Sequence, residues 1–151
     1  MKTMKKFVGI VAALFMTLNM AAQSQNLDDT KIALQGYSPV SYLDMGLAQR
    51  GLKEFKSEYQ GAKYYFTSKD QKKKFDANPT KYVPQYGGYC AFGVSVGGKF
   101  RVDPNKFVVH NNKLYLFLND VEVDALQLFK DSNANQTIAK ADKNWKTLKT
   151  K

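Results

Sequence analysis

The sequence predicts an α+β fold, a small mixed domain of short β-strands and hairpins with about three helices. Three observations point there. Aromatic and β-branched runs bounded by turn residues occur at 63–67, 107–110 and 113–118. Capped or amphipathic helical stretches occur at 69–77, about 120–130 and about 138–148. The two kinds do not alternate as βαβ units, so a doubly wound parallel sheet is not expected.

The elements follow in chain order. Residues 1–24 join a basic start (Lys2, Lys5, Lys6), an apolar run from Phe7 to Leu18 and the small-x-small site Ala22-Gln23-Ser24. This is the pattern of a cleavable export signal. The apolar run is short of the ~20 residues that a membrane-spanning helix needs. No cysteine follows it, so no lipid anchor is expected. The expected division is a signal peptide over 1–24 and one domain over 25–151, located in the periplasm or secreted. Residues 25–33 read as a loose lead-in. Tyr37 to Leu43, with Pro39 near its start, reads as a short β-type segment. Asp44-Met45-Gly46 and Gln60-Gly61 read as turns around a weakly patterned stretch.

Lys63 to Thr67 is a strand by aromatic enrichment, and Ser68 is a helix N-cap. The helix runs from Lys69 to Ala77 with Phe75 facing the core, and Asn78-Pro79 stops it. Residues 82–100 are rich in glycine and aromatics, and Asp103-Pro104 reads as a turn. A hairpin is expected around Asn111-Asn112, which tolerate left-handed turn conformations. Asn119 or Asp120 is expected to cap a helix reaching about Lys130. Ile138, Ala141, Trp145 and Leu148 form the stripe of a last amphipathic helix, whose other face carries Lys140, Lys143, Lys146 and Lys149. No internal repeat, low-complexity stretch or linker stands out.

Composition narrows the function. The chain has 151 residues, 44% hydrophobic, which excludes a disordered chain. Its single cysteine excludes an internal disulfide and a multi-thiolate zinc site built by one chain. Loss of the leader lowers the net charge from +10 to +7 by removing three lysines and no acid. The remaining lysines concentrate on helix faces whose opposite sides carry the aromatics, so nucleic-acid binding is not expected. An acidic envelope surface or an envelope protein is the more natural partner. No nucleophile elbow, zinc-protease helix, phosphate-binding loop or dinucleotide fingerprint is present.

Several stretches resemble the YHS domain: Ala33 to Tyr42, Tyr59 to Ser68 and Lys74 to Tyr82. Further stretches, Pro84 to Ala91, Asp103-Pro104, Lys113 to Leu116 and Ala141 to Trp145, resemble the longer, exported YHS-domain proteins of bacteria. The short, cysteine-bearing relatives are thought to bind a metal ion or sense heavy metals. Their pattern has Asp-Pro-Val-Cys first, then Tyr-Phe-Cys-Ser-x-x-Cys. Here the aspartate position is Ser38 and the cysteine positions are Ser41, Thr67 and Gln71. Hydroxyl and amide groups do not replace soft thiolate ligands, so that metal site is not carried over.

What remains is a binding module rather than an enzyme. A transition metal ion is the one cofactor the resemblance implies, with Cys90 and His110 as the candidate ligands. Cys90 reads equally as a small buried hydrophobe, and His110 as a solvent-facing residue before a turn. Tyr37, Tyr42, Tyr65, Tyr86 and Tyr89 are candidates for an aromatic ligand pocket, against the plainer reading of core and rim residues. The alternatives are an envelope interaction protein with no ligand of its own, and a Cys90-dependent enzyme.

Overall fold

A computed structural model describes residues 25–151; the expected export signal, 1–24, lies outside the described residues. The elements are β1 (Leu52–Tyr59), β2 (Ala62–Phe66), α1 (Lys69–Ala77), α2 (Pro79–Tyr82), α3 (Ala91–Ser95), β3 (Asp103–His110), β4 (Lys113–Phe117), α4 (Ala125–Asp131) and α5 (Ala134–Leu148). The strands form two antiparallel two-stranded sheets, β1–β2 and β3–β4. The class is α+β. Among the described residues no helix is long and apolar enough to cross a membrane.

The two halves of the fold repeat one another. The register of the first hairpin, Leu52↔Phe66 then Lys56↔Tyr65, recurs in the second as Asp103↔Phe117 then Phe107↔Leu116. Each position moves by 51 residues, and the bulge in the first strand falls at the same place. Both hairpins turn through two left-handed residues, Gln60-Gly61 and Asn111-Asn112. Upstream, Leu34-Gln35-Gly36 and Tyr86-Gly87-Gly88 make the same left-handed turn, closed by the N–H of Tyr37 or Tyr89. One residue later the Ser38 N–H donates to the Gln49 carbonyl, and the Cys90 N–H to the Phe100 carbonyl. In each half a helix then packs a phenylalanine on the second strand. Phe75 lies 5.1 Å from Phe66, and Phe129 lies 4.9 Å from Phe117.

The halves share one core through β4. Its side chains alternate between faces, as a strand requires. Leu114 and Leu116 pack into the first cluster with Val40, Tyr42, Phe66 and Phe75. Tyr115 and Phe117 pack into the second with Cys90, Val94, Phe129 and Ala141. β4 is therefore buried on both faces after Lys113, whereas β2 is fully buried only at Ala62, Tyr64 and Phe66.

Ser68 accepts from the Gln71 N–H as the N-cap of α1, and α5 buries its stripe as expected. Four local expectations change. Tyr37 to Leu43 is not a strand beyond its first residues, because Pro39 opens a helical turn that continues as a π-helical turn over Ser41–Met45. The weakly patterned stretch before Gln60 contains β1. Asp103-Pro104 begins β3 rather than forming a turn, with Pro104 inside the bulge where it interrupts no ladder bond. Asp124 caps α4, while Asp120 is spent accepting from the Glu122 and Val123 N–H groups.

Candidate functional site

Three places gather the residues that the sequence singles out. The first is the set of positions corresponding to the aspartate and cysteines of the short relatives, Ser38, Ser41, Thr67 and Gln71. The helical turn at Pro39 and the N-terminal turn of α1 bring them together. The Ser38 hydroxyl donates to Gln71 Oε1 at 2.7 Å, and the Thr67 N–H donates to the same oxygen at 3.1 Å. Gln71 Nε2 donates to Ser41 Oγ at 2.9 Å and faces Met45 Sδ at 3.7 Å. The Ser41 hydroxyl donates to Gln49 Oε1 at 2.8 Å. Both hydrogens of the Gln71 amide and both lone pairs of its oxygen are thus engaged. Ser38 and Ser41 are fully buried. The network is neutral and closed. It does not fit a transition metal ion, because it offers no thiolate, imidazole or carboxylate and its oxygen lone pairs are already engaged. Among the described residues no three His, Cys, Asp or Glu side chains converge.

The second place is Cys90. It is the N-cap of α3, and its sulfur accepts from the Gly93 N–H at 3.3 Å. Ser38 holds the equivalent position in the first half, with the Ser41 N–H at 3.5 Å from its hydroxyl. Only 1% of Cys90 is exposed, and it lies inside the second core cluster. His110 ends β3 with Nε2 3.2 Å from Asn135 Oδ1, toward solvent. Cys90 bridges to Leu116 while His110 pairs with Lys113. Three residues of β4 separate those partners, about 10 Å at the rise of a strand. The fold does not bring Cys90 and His110 together.

The third place is a cleft of about 290 Å³ between the two halves. Gln60 enters from the β1–β2 turn, Tyr64 from β2, Gln85 and Tyr86 from the inter-half segment, and Asp142 and Trp145 from α5. Tyr86 and Trp145 meet edge to face at 5.9 Å. The Tyr86 hydroxyl donates to Asp142 Oδ1 at 2.8 Å. Burial, then the Asp142 bond, push the Tyr86 phenol well above its ordinary range. Tyr86 also holds φ at 54°, uncommon for a residue with a Cβ. Leu34 holds the same conformation at φ 55°, so the conformation belongs to the turn that both halves share.

The five candidate tyrosines are distributed over different surroundings. Tyr86 lines the cleft. Tyr89 sits beside it, 6.2 Å from Trp145, with Lys99 over its ring. Tyr42 is sealed in the core and donates to the Pro104 carbonyl. Tyr37 lies under the Arg50 guanidinium at 5.3 Å, and Tyr65 lines a separate groove of about 460 Å³ with Arg50, Lys53 and Glu54. The candidate residues absent from the sequence reading are Asp142 and Trp145 as a pair. Their signal was available: Asp142 is the only acid after Asp131, three residues before the only tryptophan.

The basic faces are partly neutralised. Lys74 and Lys81 bracket Asp44 at 2.9 and 3.5 Å, Lys72 meets Asp76, and Lys106 meets Asp124.

Residues 49–86, which hold β1, β2, α1 and α2, match the family model of the YHS domain. The match includes Thr67 and Gln71 and ends at Tyr86, where the second half begins. No curated protein and no solved structure matches the chain.

Proposed function

We propose that this chain is an exported, periplasmic or secreted binding module of YHS type, without catalytic chemistry, that holds a small organic ligand in the cleft between its halves. The observation that carries this is the pairing of two facts. The positions where short relatives place thiolates are filled by a closed neutral network around Gln71, and a concave site lined by aromatic residues and an exposed carboxylate is the Tyr64–Tyr86–Asp142–Trp145 cleft. Small-ligand sites combine apolar walls with a few placed polar groups in this way, and this cleft is at the small end of their range. Cys90 caps a helix in the core and supplies no open thiolate.

A thermal-shift screen of the purified protein against small metabolites tests the reading. A ligand that binds the folded state raises Tm. The expected result is a shift in wild type that is absent in Trp145→Ala. A panel with no shift, or one unchanged by Trp145→Ala, overturns it. Copper, zinc and iron uptake is measured beside it, and is expected to be no greater than in a Cys90→Ser control.

A further inference from the structure

The charge inside the cleft runs against the charge of the protein. The chain carries +10, and the helix that bears Asp142 also bears Lys140, Lys143 and Lys146, with Lys149 as its C-cap. Asp44, Asp76 and Asp124 each take a lysine within 4 Å. Asp142 takes none among the described residues; its one partner is the Tyr86 hydroxyl, on Oδ1. Its carboxylate therefore stands at the cleft with accepting capacity to spare, next to the Trp145 ring and the edge-to-face Tyr86 ring.

A carboxylate beside an indole face is the chemistry that recognises an organic cation. The carboxylate supplies a charge-assisted contact, and the indole supplies the strongest of the cation–π faces. An anion would be repelled by the Asp142 charge, and a neutral apolar molecule would gain nothing from it. Resting on the cleft reading above, we infer that the ligand of this cleft is a small organic ammonium or guanidinium group, with its charge at Asp142 and its apolar surface on Trp145. The group belongs either to a free amine or to a lysine or arginine side chain on a partner protein.

Trp145 is the only tryptophan, and it lines the cleft, so its fluorescence responds to binding there. The probes are choline, n-butylammonium, the neutral choline isostere 3,3-dimethylbutan-1-ol, and an acetylated lysine-containing tripeptide. Each is titrated into the wild-type protein and Asp142→Asn by fluorescence and by calorimetry. The Asn variant keeps an oxygen for the Tyr86 hydroxyl, and its circular dichroism confirms the fold. The expected result is saturable binding of the cations, weakened about tenfold or more in Asp142→Asn, with the neutral isostere weak and equal in both proteins. Tighter binding of the peptide than of n-butylammonium assigns the cation to a partner's side chain; the reverse assigns it to a free amine. Cations that bind equally to both proteins, or more weakly than the neutral isostere, overturn the inference while leaving the cleft as a binding site. No binding of any probe, together with no hit in the thermal-shift screen, overturns both.

Discussion

Replacing Gln71 by Ala removes the hub of the buried network and leaves the surrounding groups in place. In the wild type its oxygen accepts from the Ser38 hydroxyl and the Thr67 N–H. Its amide nitrogen donates to Ser41, whose own hydroxyl still has Gln49 as an acceptor. The substitution therefore orphans two donors, and Ser38 is fully buried. Each buried donor left unsatisfied costs about 1–3 kcal/mol, so the loss is about 2–6 kcal/mol. Urea unfolding of the purified protein measures it, as a lower midpoint at an unchanged m-value. Adding Ser38→Ala to a Gln71→Met variant removes the orphaned hydroxyl but also the oxygen that accepts from the Ser41 N–H at 3.5 Å, so it should recover less than about 1 kcal/mol relative to Gln71→Met alone. A Gln71→Ala protein within about 0.5 kcal/mol of wild type, the range of an ordinary surface change, would refute the assignment of this cluster as a closed structural network.

Other outcomes follow from the same packing. Cys90→Ser should cost about 1–3 kcal/mol, because its hydroxyl could still accept from the Gly93 N–H but, unlike Ser38 with Gln71, would have no acceptor for its own hydrogen in the second cluster; folded Cys90 should react with a thiol reagent only as fast as the protein opens, and rapid labelling of native protein would contradict its burial. Phe75→Ala should cost about 3–5 kcal/mol in urea unfolding, since Phe75 fills the space between Tyr64, Phe66 and Tyr82. Burial opposes ionisation of Asp44 but Lys74 and Lys81 outweigh it, and the Asn105 N–H holds the Asp103 carboxyl low, so both lie below the ordinary aspartate range. Their stabilisation is present above the unfolded value near 3.9 and is lost as pH falls through the lowered values, so the urea midpoint should hold from pH 7 to 5 and drop below about 4. Burial raises the Tyr42, Tyr64 and Tyr86 phenols, so ultraviolet titration should show these three un-ionised until alkaline unfolding; early, reversible ionisation of every tyrosine would contradict their packing.

Local features were legible where one residue type does one job. Ser68 reads as a cap, Asn111-Asn112 as a left-handed turn, and Ile138–Ala141–Trp145–Leu148 as a buried stripe, and each behaves so. The repeat was not legible, because the halves keep few identities: Gly36 with Gly88, Tyr37 with Tyr89, Gly46 with Gly97, Arg50 with Arg101, Tyr64 with Tyr115 and Phe66 with Phe117. Burial explains the divergence. β2 buries one face fully and carries Lys63 and Tyr65 on the other, whereas β4 faces two cores and needs Leu114 and Leu116 at the corresponding places. At the site, the missing thiolates were visible at Ser41, Thr67 and Gln71, but the bonds that join them span up to 30 residues and appear only on folding. Tyrosine is ambiguous for a related reason: its ring suits a core and its hydroxyl suits a site, and only packing separates Tyr42 from Tyr86.

The central claim, that binding belongs to the cleft and not to the Gln71 cluster, is tested most directly by an amide chemical-shift map of the isotopically labelled protein titrated with choline and then with zinc. The account predicts choline-induced shifts centred on residues 83–87 and 142–145, and no zinc-induced shifts centred on Ser38, Ser41, Thr67 and Gln71. Saturable zinc shifts at those four residues, with none in the cleft for choline, would contradict it.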